Sequence, residues 1–492
     1  MTAQKSLVTD VAIIGTGGAG LAAAIEANKA GARVTMVEQN ETLGGSSIIS
    51  GGGCFIVGSP LQQARGFHDT PDNAFEDWVK WGRGSADEPW ARFYIEHSLH
   101  DLYFWAENLG TQWIDLRLHE GNRVPRWHRP LHNGLGITTT LIDAVRKQAT
   151  TDILTAYRAG KILTKKGRVC GLEVTKLQDG QPIVIQSKVL LLATGGFNAN
   201  LDMVLEAKPE LKGYKILAGA GVGATGIGHK LVREIGGHLT HMNHIWFYAY
   251  ATPDYRDPGG KRGLVIRKIP GSIWINQQGH RFHNESRSGG ASATPALMAQ
   301  DPPHAWALLD APMAAGMEVS DPYYRRGDAV IREKVEALLA NSPHIRKADT
   351  LSELGHKIKV DLPAFLATVE QYNRACEDGL ERDPEFGKSL TDCKKIATPP
   401  FYAIQFFPLA RKNFGGVKSD MHCRVLNKHF EIIPGLYAAG ELTGMAGGHI
   451  NGSAGLEGTM LGPSIISGRV AGAWGAQEAG FGSGFVGKPN RS

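Results

Sequence analysis

The chain has only five cysteines, Cys54, Cys170, Cys376, Cys393 and Cys423, and no two of them form a C-x-x-C pair or a C-x-x-C-H haem-attachment pattern. Zinc, iron–sulfur and c-type haem sites need such spacings. No metal site is therefore predicted, and the thiols fit a reduced, cytoplasmic protein. Long apolar runs are also missing, which excludes a helix spanning a membrane over ~20 residues, and the opening MTAQKSL lacks a signal-peptide pattern. Charge of one sign is scarce: 53 Lys and Arg against 48 Asp and Glu leave +5 over 492 residues. That is no footprint for nucleic acid. Internal repeats and low-complexity tracts are absent. What is present, 42% hydrophobic and 21% charged residues, describes a globular chain long enough for two or three domains.

Glycine is plentiful, and its first cluster carries the strongest signal. IIGTGGAGLAAAIEANKAGARVTMVE, residues 13–38, reads as strand, tight turn, helix and strand. Gly15 permits the turn, Gly17, Gly18 and Ala19 bring backbone amides to a pyrophosphate, and Gly20 lets helix and strand pack closely. Glu38 closes the second strand, where a carboxylate accepts hydrogen bonds from a ribose diol. This spacing predicts a dinucleotide site without separating NAD from FAD.

The next segment, QNETLGGSSIISGGGCF, is unusual for an NAD enzyme. Gly44, Gly45, Ser46, Ser47, Gly51, Gly52 and Gly53 are expected to let backbone approach a large planar ligand and to hydrogen-bond it. Far along the chain, KVLLLATGGFNAN ends a buried strand in Ala193, Thr194 and Gly195, and GLYAAGELTG ends another in Gly440 and Glu441. In open α/β sheets ligands sit at the carboxyl ends of strands. Leu461, Gly462 and Ser464 then open a final helix, with Pro463 expected at its first position. The helix N-terminus can stabilise negative charge on a reduced flavin ring.

These pieces, together with GHRFHNES (279–286) and NFGGVKSD (413–420), resemble the flavoprotein family of soluble fumarate reductases, succinate dehydrogenase flavoprotein subunits and 3-ketosteroid Δ1-dehydrogenases. The resemblance implies FAD, with Glu38 at the adenosine ribose, Glu441 on the ribityl side and residues 461–464 at the pyrimidine edge. Serines follow Gly45 where membrane-complex members place a flavin-linked histidine, so non-covalent attachment is implied. The expected fold is α/β: a Rossmann-like FAD-binding domain (1–242 and 399–492) interrupted by an α+β capping domain that holds substrate (243–398). Residues 87–110 carry apolar positions at Ile95, Leu99, Leu102, Ala106 and Leu109, the spacing of one amphipathic helix. TPDYRDPGGKRG (252–263) reads as a mobile surface segment.

Flavins of this family exchange a hydride with a carbon β to a carbonyl, while an acid or base handles the α proton. The resemblance places Ala314 where fumarate reductases carry an arginine proton donor, and Lys412 and Gly455 where they hold carboxylates. It retains Gly458 as the backbone donor to a carbonyl oxygen, but puts Ala454 and Ser288 where ketosteroid dehydrogenases have tyrosines. The base is sought among Tyr248, Tyr250, Glu457 and His449, with Glu285 and Arg287 also in a substrate-facing motif. A buried Glu457 is expected to have a raised pKa. The donors of NRVPRWHRPLH (Arg123, Arg126, His128, Arg129, His132) read either as a solvated basic loop or as a carboxylate receptor. The expected activity is dehydrogenation of a CH–CH bond beside a carbonyl, as in a cyclic-ketone desaturase. The alternative is reduction of an unsaturated carboxylic acid. Either needs a small carbonyl-bearing substrate and an external electron partner.

Overall fold

In the computed structural model of the chain, residues 6–490 other than 220, 288 and 328 are described. The first residues of MTAQKSL and the expectation on Ser288 fall outside them. The chain forms two compact units, one of residues 1–207, 220–246 and 412–492, the other of 208–219 and 247–411.

The first unit is organised by a sheet containing β1 (Ser6–Ile14), β2 (Val34–Val37), β3 (Thr151–Leu154), β4 (Tyr157–Lys165), β5 (Arg168–Lys176), β6 (Pro182–Leu192), β7 (Arg424–Leu426) and β8 (Ile432–Ala438). Its main path runs β7-β8-β6-β1-β2-β3, with β5 on β6 and β4 on β5. The central strands are parallel and nearly continuous in Val, Ile and Leu, as expected of strands covered on both faces. Register then decides where the chemistry can sit. Ile14 lies opposite both Val37 and Leu192, and Leu192 opposite Ala438. Four strands thus end level, and the segments that follow them, at Gly15, Glu38, Ala193 and Ala439, leave the sheet along one edge.

Helix α1 (Gly18–Lys29) and helix α2 (Leu461–Glu478) lie against each other through residues too small to separate them. A Cβ on Gly468 would stand 2.2 Å from the Ala19 carbonyl oxygen, and one on Gly472 2.2 Å from that of Ala23. The small face read from the sequence is therefore a helix-packing face. Because α2 begins at Leu461, Pro463 occupies its third position rather than its first.

The expected helix over 87–110 is interrupted. It runs as α-helix over Glu88–His97, widens to a π-helical turn over Leu99–Phe104 and resumes over Trp105–Asn108. The Tyr103 N–H donates to Ser98 O at 3.0 Å instead of one residue later. This extra residue seats Asp101 against His97 Nδ1 (2.6 Å), the Lys488 N–H (2.8 Å) and the Arg469 guanidinium (3.5 Å). Arg469 and His97 hold the Asp101 carboxyl below its usual range against the opposing effect of burial, which is the largest influence on it. Ile95, Leu99, Leu102 and Ala106 remain buried.

The second unit centres on the strand Phe401–Asn413, flanked by Ile245–Pro253 and Ala305–Leu309, with Gly263–Arg267 and Ile273–Ile275 further out. Helix Leu362–Glu377 buries Phe365, Val369 and Tyr372 against Ile273, Ile275, Leu308 and Phe401. Residues 252–263 are tied rather than loose. Asp254, 2% exposed, pairs with Arg256 at 2.8 Å and Arg262 at 3.3 Å. Asp257 accepts the backbone amides of Gly259, Lys261 and Arg262 at 2.7–3.1 Å.

Candidate active site

The turn after β1 has the contacts its glycines require. A Cβ on Gly20 would lie 2.0 Å from Gly15 O, and one on Gly15 2.3 Å from Ala193 O, with Gly15 in the left-handed region at φ +103. The amides of Gly17 and Ala19 have no acceptor among the described residues, while the Gly18 amide donates to Ser47 Oγ at 3.0 Å. Unpaired donors at a helix N-terminus fit a pyrophosphate. Glu38 is buried and fully engaged. One oxygen accepts the Thr16 N–H (3.1 Å) and hydroxyl (2.6 Å), the other the Asn40 N–H (3.0 Å) and side-chain amide (3.1 Å). A ribose diol must displace one of these neighbours.

The loop after Glu38 is more ordered than a flexible segment, with one helical turn at Gly45–Ile48. Two of its glycines have a role the sequence reading did not assign. A Cβ on Gly53 would strike the Trp127 indole at 1.8 Å, and one on Gly52 the Asn133 backbone at 2.4 Å. These positions serve packing inside the protein and leave no room there for a planar ligand. Gly51 has only Trp127 at 3.9 Å, and Gly45 faces Gly17 at 3.5 Å.

At the ends of β6 and β8 the chain builds a knot of polar side chains. Glu441 Oε1 accepts from Asn198 Nδ2 (3.0 Å) and the Asn413 N–H (3.2 Å), while Asn413 Oδ1 accepts the Phe197 N–H (3.3 Å). Gly196 is obligatory here, since its Cβ would lie 2.6 Å from Glu441 Oε1. Thr194 Oγ1, also buried, has no hydrogen-bond partner among the described residues and lies against Gly228, whose Cβ would stand 2.1 Å from it. Gly440 turns the chain at φ +73, its amide held by Ser467 Oγ at 3.1 Å. Asn198 and Asn413 were not singled out from sequence, although both stand in the glycine-rich stretches that were.

The long turn from β8 to α2, residues 440–460, holds three of the predicted catalytic residues, His449, Glu457 and Gly458. Gly458 adopts φ +93, and its carbonyl accepts the Phe55 N–H at 3.0 Å while its own N–H has no acceptor among the described residues. Glu457 is half-buried and forms no ion pair there, so the buried carboxyl expected at this position is replaced by a partly exposed one. His449 is 4% exposed. Its Nε2 lies 2.7 Å from His244 Nδ1, and its ring stacks on that of His241 at 3.6 Å and 3°. Burial first, and then His241, His244 and Lys418, push its pKa down to about 3. Phe414 lies over Gly455, where a Cβ would stand 2.9 Å from the ring. Trp246 packs beside Phe414 at 5.3 Å, with the Lys412 ammonium 4.7 Å from the Trp246 ring.

In the second unit Tyr248 and Tyr250 are buried and stacked at 5.0 Å, and the Arg267 guanidinium lies 4.7 Å from Tyr250 and 5.7 Å from Tyr248. Arg267 was not anticipated; its strand position gave no signal. Glu285 does not face a substrate. It is buried, accepts the Trp274 N–H at 3.1 Å and is gripped by Arg281 at 2.7 Å, which also holds Asp383 at 2.9 Å. A carboxylate so paired is structural. Arg287 is exposed.

The basic stretch 122–132 is also corrected. Arg126 is 1% exposed and forks onto Asp69 at 2.7 and 2.8 Å, with a further bond to Asp77 at 2.6 Å. Arg123 pairs with Asp77 and Glu76. Arg129 lies near Asp115. Neutral His128 sits between Ser59 Oγ (2.6 Å) and the Arg126 carbonyl (2.8 Å). The chain's own carboxylates meet these arginines, so the stretch is neither a solvated loop nor a carboxylate receptor. His132 is exposed.

Among the described residues no His, Cys, Asp and Glu cluster can hold a metal, and no helix is long and apolar enough to cross a membrane. Residues 10–461 match the FAD binding domain model. The chain is similar to NADH:fumarate oxidoreductase of Klebsiella pneumoniae (strain 342), 30% identical over 96% of this chain and 48% of that one. It thus spans about half the length of that relative. It is also similar to Fumarate reductase (cytochrome) of Shewanella frigidimarina, 30% identical over 94% of this chain and 76% of that one. Among solved structures it resembles 3-ketosteroid-Δ4-(5α)-dehydrogenase from Rhodococcus jostii RHA1, with TM-score 0.71, 26% identity and coverage of 97% and 98%.

Proposed function

The chain belongs to the FAD binding domain family that includes the fumarate reductases and ketosteroid dehydrogenases, and from that premise we propose that it reduces a carbon–carbon double bond conjugated to a single carbonyl or carboxylate. The observation that carries this reading is Gly458, whose amide is unpaired among the described residues and is held in place because its carbonyl is bonded to Phe55. A fixed donor of this kind stabilises the oxyanion that develops when a hydride adds β to one carbonyl. Lys412 stands where the resemblance places a carboxylate-holding histidine, its ammonium 4.7 Å from the Trp246 ring. Ala314 stands where the resemblance places the arginine proton donor of fumarate reductases and Gly455 where it places a carboxylate-holding arginine, and Phe414 closes over Gly455. Relatives at 30% identity are named as reductases, which favours the reductive direction.

FAD fits the unpaired amides of Gly17 and Ala19 and the free first-turn amides of Leu461 and Gly462. We assign the pyrophosphate to the former, the ring edge to the latter, the adenosine ribose to Glu38 and the ribityl side to Glu441, all without a covalent bond. When bound, FAD supplies the hydride. The protein's own residues orient the acceptor, polarise its carbonyl through Gly458 and provide the proton. Electrons come from an external donor.

Desaturation of a cyclic ketone is the second reading, favoured by the paired Tyr248 and Tyr250 in the second unit. Anaerobic mixing tests both. Photoreduced holoprotein should be reoxidised by cinnamate, crotonate or cyclohex-2-enone at least ~10-fold faster than by fumarate. Fumarate as the best acceptor would sink the single-carbonyl reading. Bleaching of the oxidised protein by saturated ketones, with no reoxidation by any unsaturated acid, would establish the desaturase instead.

A further inference from the structure

We propose that Cys376 and Cys393 are a redox pair, which a small-molecule disulfide oxidises, in the folded chain, to a reversible Cys376–Cys393 disulfide within the second unit. This does not depend on the reaction proposed above.

The two cysteines have no C-x-x-C spacing, and the fold brings their segments together. Cys376 lies in the last turn of helix Leu362–Glu377. Three ties hold that turn along residues 393–396. Asn373 Oδ1 accepts the Ile396 N–H at 2.7 Å, and its Nδ2 donates to the Ile396 carbonyl at 2.9 Å. Glu377 pairs with Lys395 at 2.7 Å. Tyr372 and Cys393 reach adjacent carbonyls: the Tyr372 hydroxyl donates to Gly271 O at 3.0 Å, and Cys393 Sγ lies 3.2 Å from Pro270 O. Residues four apart share a helix face, so Cys376 stands on the side of the helix that carries Tyr372 towards Cys393. Both cysteines border the apolar cluster that contains Phe365 and Tyr372. Burial pushes the Cys376 thiol up, and the neighbouring Cys393 thiol adds to that effect.

Exposure separates this pair from the other cysteines. Cys54 and Cys423 are closed to solvent, at 0% and 1% exposed, whereas Cys376, Cys393 and Cys170 are half-buried. Cys170 meets the Leu163 carbonyl at 3.5 Å. A reachable thiol with a second thiol beside it resolves a mixed disulfide internally, and one without keeps the adduct.

The step balances. One protein thiolate attacks the small disulfide, breaking its S–S bond, forming a mixed disulfide and releasing one small thiolate. The second protein thiolate attacks the protein sulfur of that adduct, forming the Cys376–Cys393 bond and releasing the other small thiolate. The two cysteine protons pass through solvent to the released thiolates. Two electrons leave the cysteines and the small disulfide gains them. The new bond closes residues 377–392 into a loop. That loop carries Asp383, which holds Arg281 at 2.9 Å, and Lys388, whose ammonium donates to Ser272 O at 2.5 Å. Oxidation therefore fastens the helix to the charge network that fixes Glu285.

The test incubates full-length holoprotein with oxidised glutathione at neutral pH, blocks remaining thiols by alkylation and reads unreduced tryptic peptides by mass spectrometry. Peptide 375–382 joined to peptide 389–394 should be the main product of these two cysteines, and dithiothreitol should reverse it. Cys170 should carry glutathione, and Cys54 and Cys423 should be alkylated only after unfolding. In at least one of Cys376→Ser and Cys393→Ser, the glutathione adduct on the remaining thiol should accumulate about tenfold above its wild-type level. Wild type in which Cys376 and Cys393 each carry glutathione, stay free or join another cysteine overturns the pair. So do a link that forms only in urea and adducts at wild-type levels in both variants. The readout needs no turnover, so failure of the reductase reading leaves it standing.

Discussion

The turn at residues 15–20 and the basic stretch at 122–132 were both singled out in the sequence, and the structure treats them in opposite ways. In the turn, the roles of Gly15 and Gly20 follow from backbone a few residues away and from the adjoining strand ends. The amides of Gly17 and Ala19 have no acceptor among the described residues. In the basic stretch, Arg126 is buried and its meaning comes from Asp69 and Asp77, 57 and 49 residues distant. The difference teaches that a motif whose chemistry is backbone geometry can be read locally. A motif whose chemistry is side-chain charge cannot, because its partner can come from anywhere.

The most severe way to break the comparison is Gly20→Ala. Its methyl would meet Gly15 O at 2.0 Å, a backbone atom that no rotamer change can move aside. Loss of flavin and destabilisation on the order of 5 kcal/mol are expected, read by urea unfolding and bound absorbance. Retained flavin with an unchanged midpoint would mean that the close approach is not required.

Asp69→Asn probes the other side. It removes the carboxylate that holds Arg126 by two bonds in a site closed to solvent. Removing one partner of a buried pair leaves an under-compensated charge and costs about 3 kcal/mol. If flavin content is retained while the denaturation midpoint falls, the stretch is structural. A pure rise in the acceptor's KM would restore the receptor reading.

A third effect depends on pH. Burial pushes the pKa of His128 down to about 4 and that of His229 to about 3, from 6.5. Each is neutral in the folded chain and takes up a proton on unfolding below pH 6.5, so its contribution to stability is complete above that pH and is lost as pH falls towards the folded value. The slope is about 1.4 kcal/mol per pH unit for each histidine, or about 2 kcal/mol each between pH 6.5 and 5. His229, whose two ring nitrogens have no partner among the described residues, is the one to replace. His229→Leu should flatten the fall in melting temperature over that window, and an unaltered slope would show that His229 is not the source.

Glu370→Gln should do least. Its pair with Arg374 is 62% and 71% exposed, and such pairs contribute about 0.5 kcal/mol. A larger shift in the midpoint would reveal a network beyond the pair.

Much of the first unit was legible because its signals were backbone signals. The strand–turn–helix at 13–38 and the glycines at 195 and 440 require particular dihedrals and close approaches, and only certain residues permit these. Gly52 and Gly53 show the limit of that reading. Their smallness was correctly noticed, but the object pressing on them is Trp127 and Asn133, not a ligand. The π-helical turn at 99–104 was illegible because its cause, Arg469 and Lys488 reaching Asp101, comes from the far end of the chain. The contact between His244 and His449 was also illegible, since one histidine before an aromatic strand carries no pattern.

Flavin came from the family resemblance; by its own geometry the sequence determined the dinucleotide turn and the parallel strands around it. Each rests on steric rules that act within a few residues or on a strand's own periodicity. Tertiary structure alone decided which charges are sites. It paired Glu285 with Arg281 and, through it, Asp383 across 102 residues, and it brought His244 to His449 across 205. A charged or titratable side chain takes its function from the nearest opposite charge, lone pair or water, and only the folded chain specifies that neighbour.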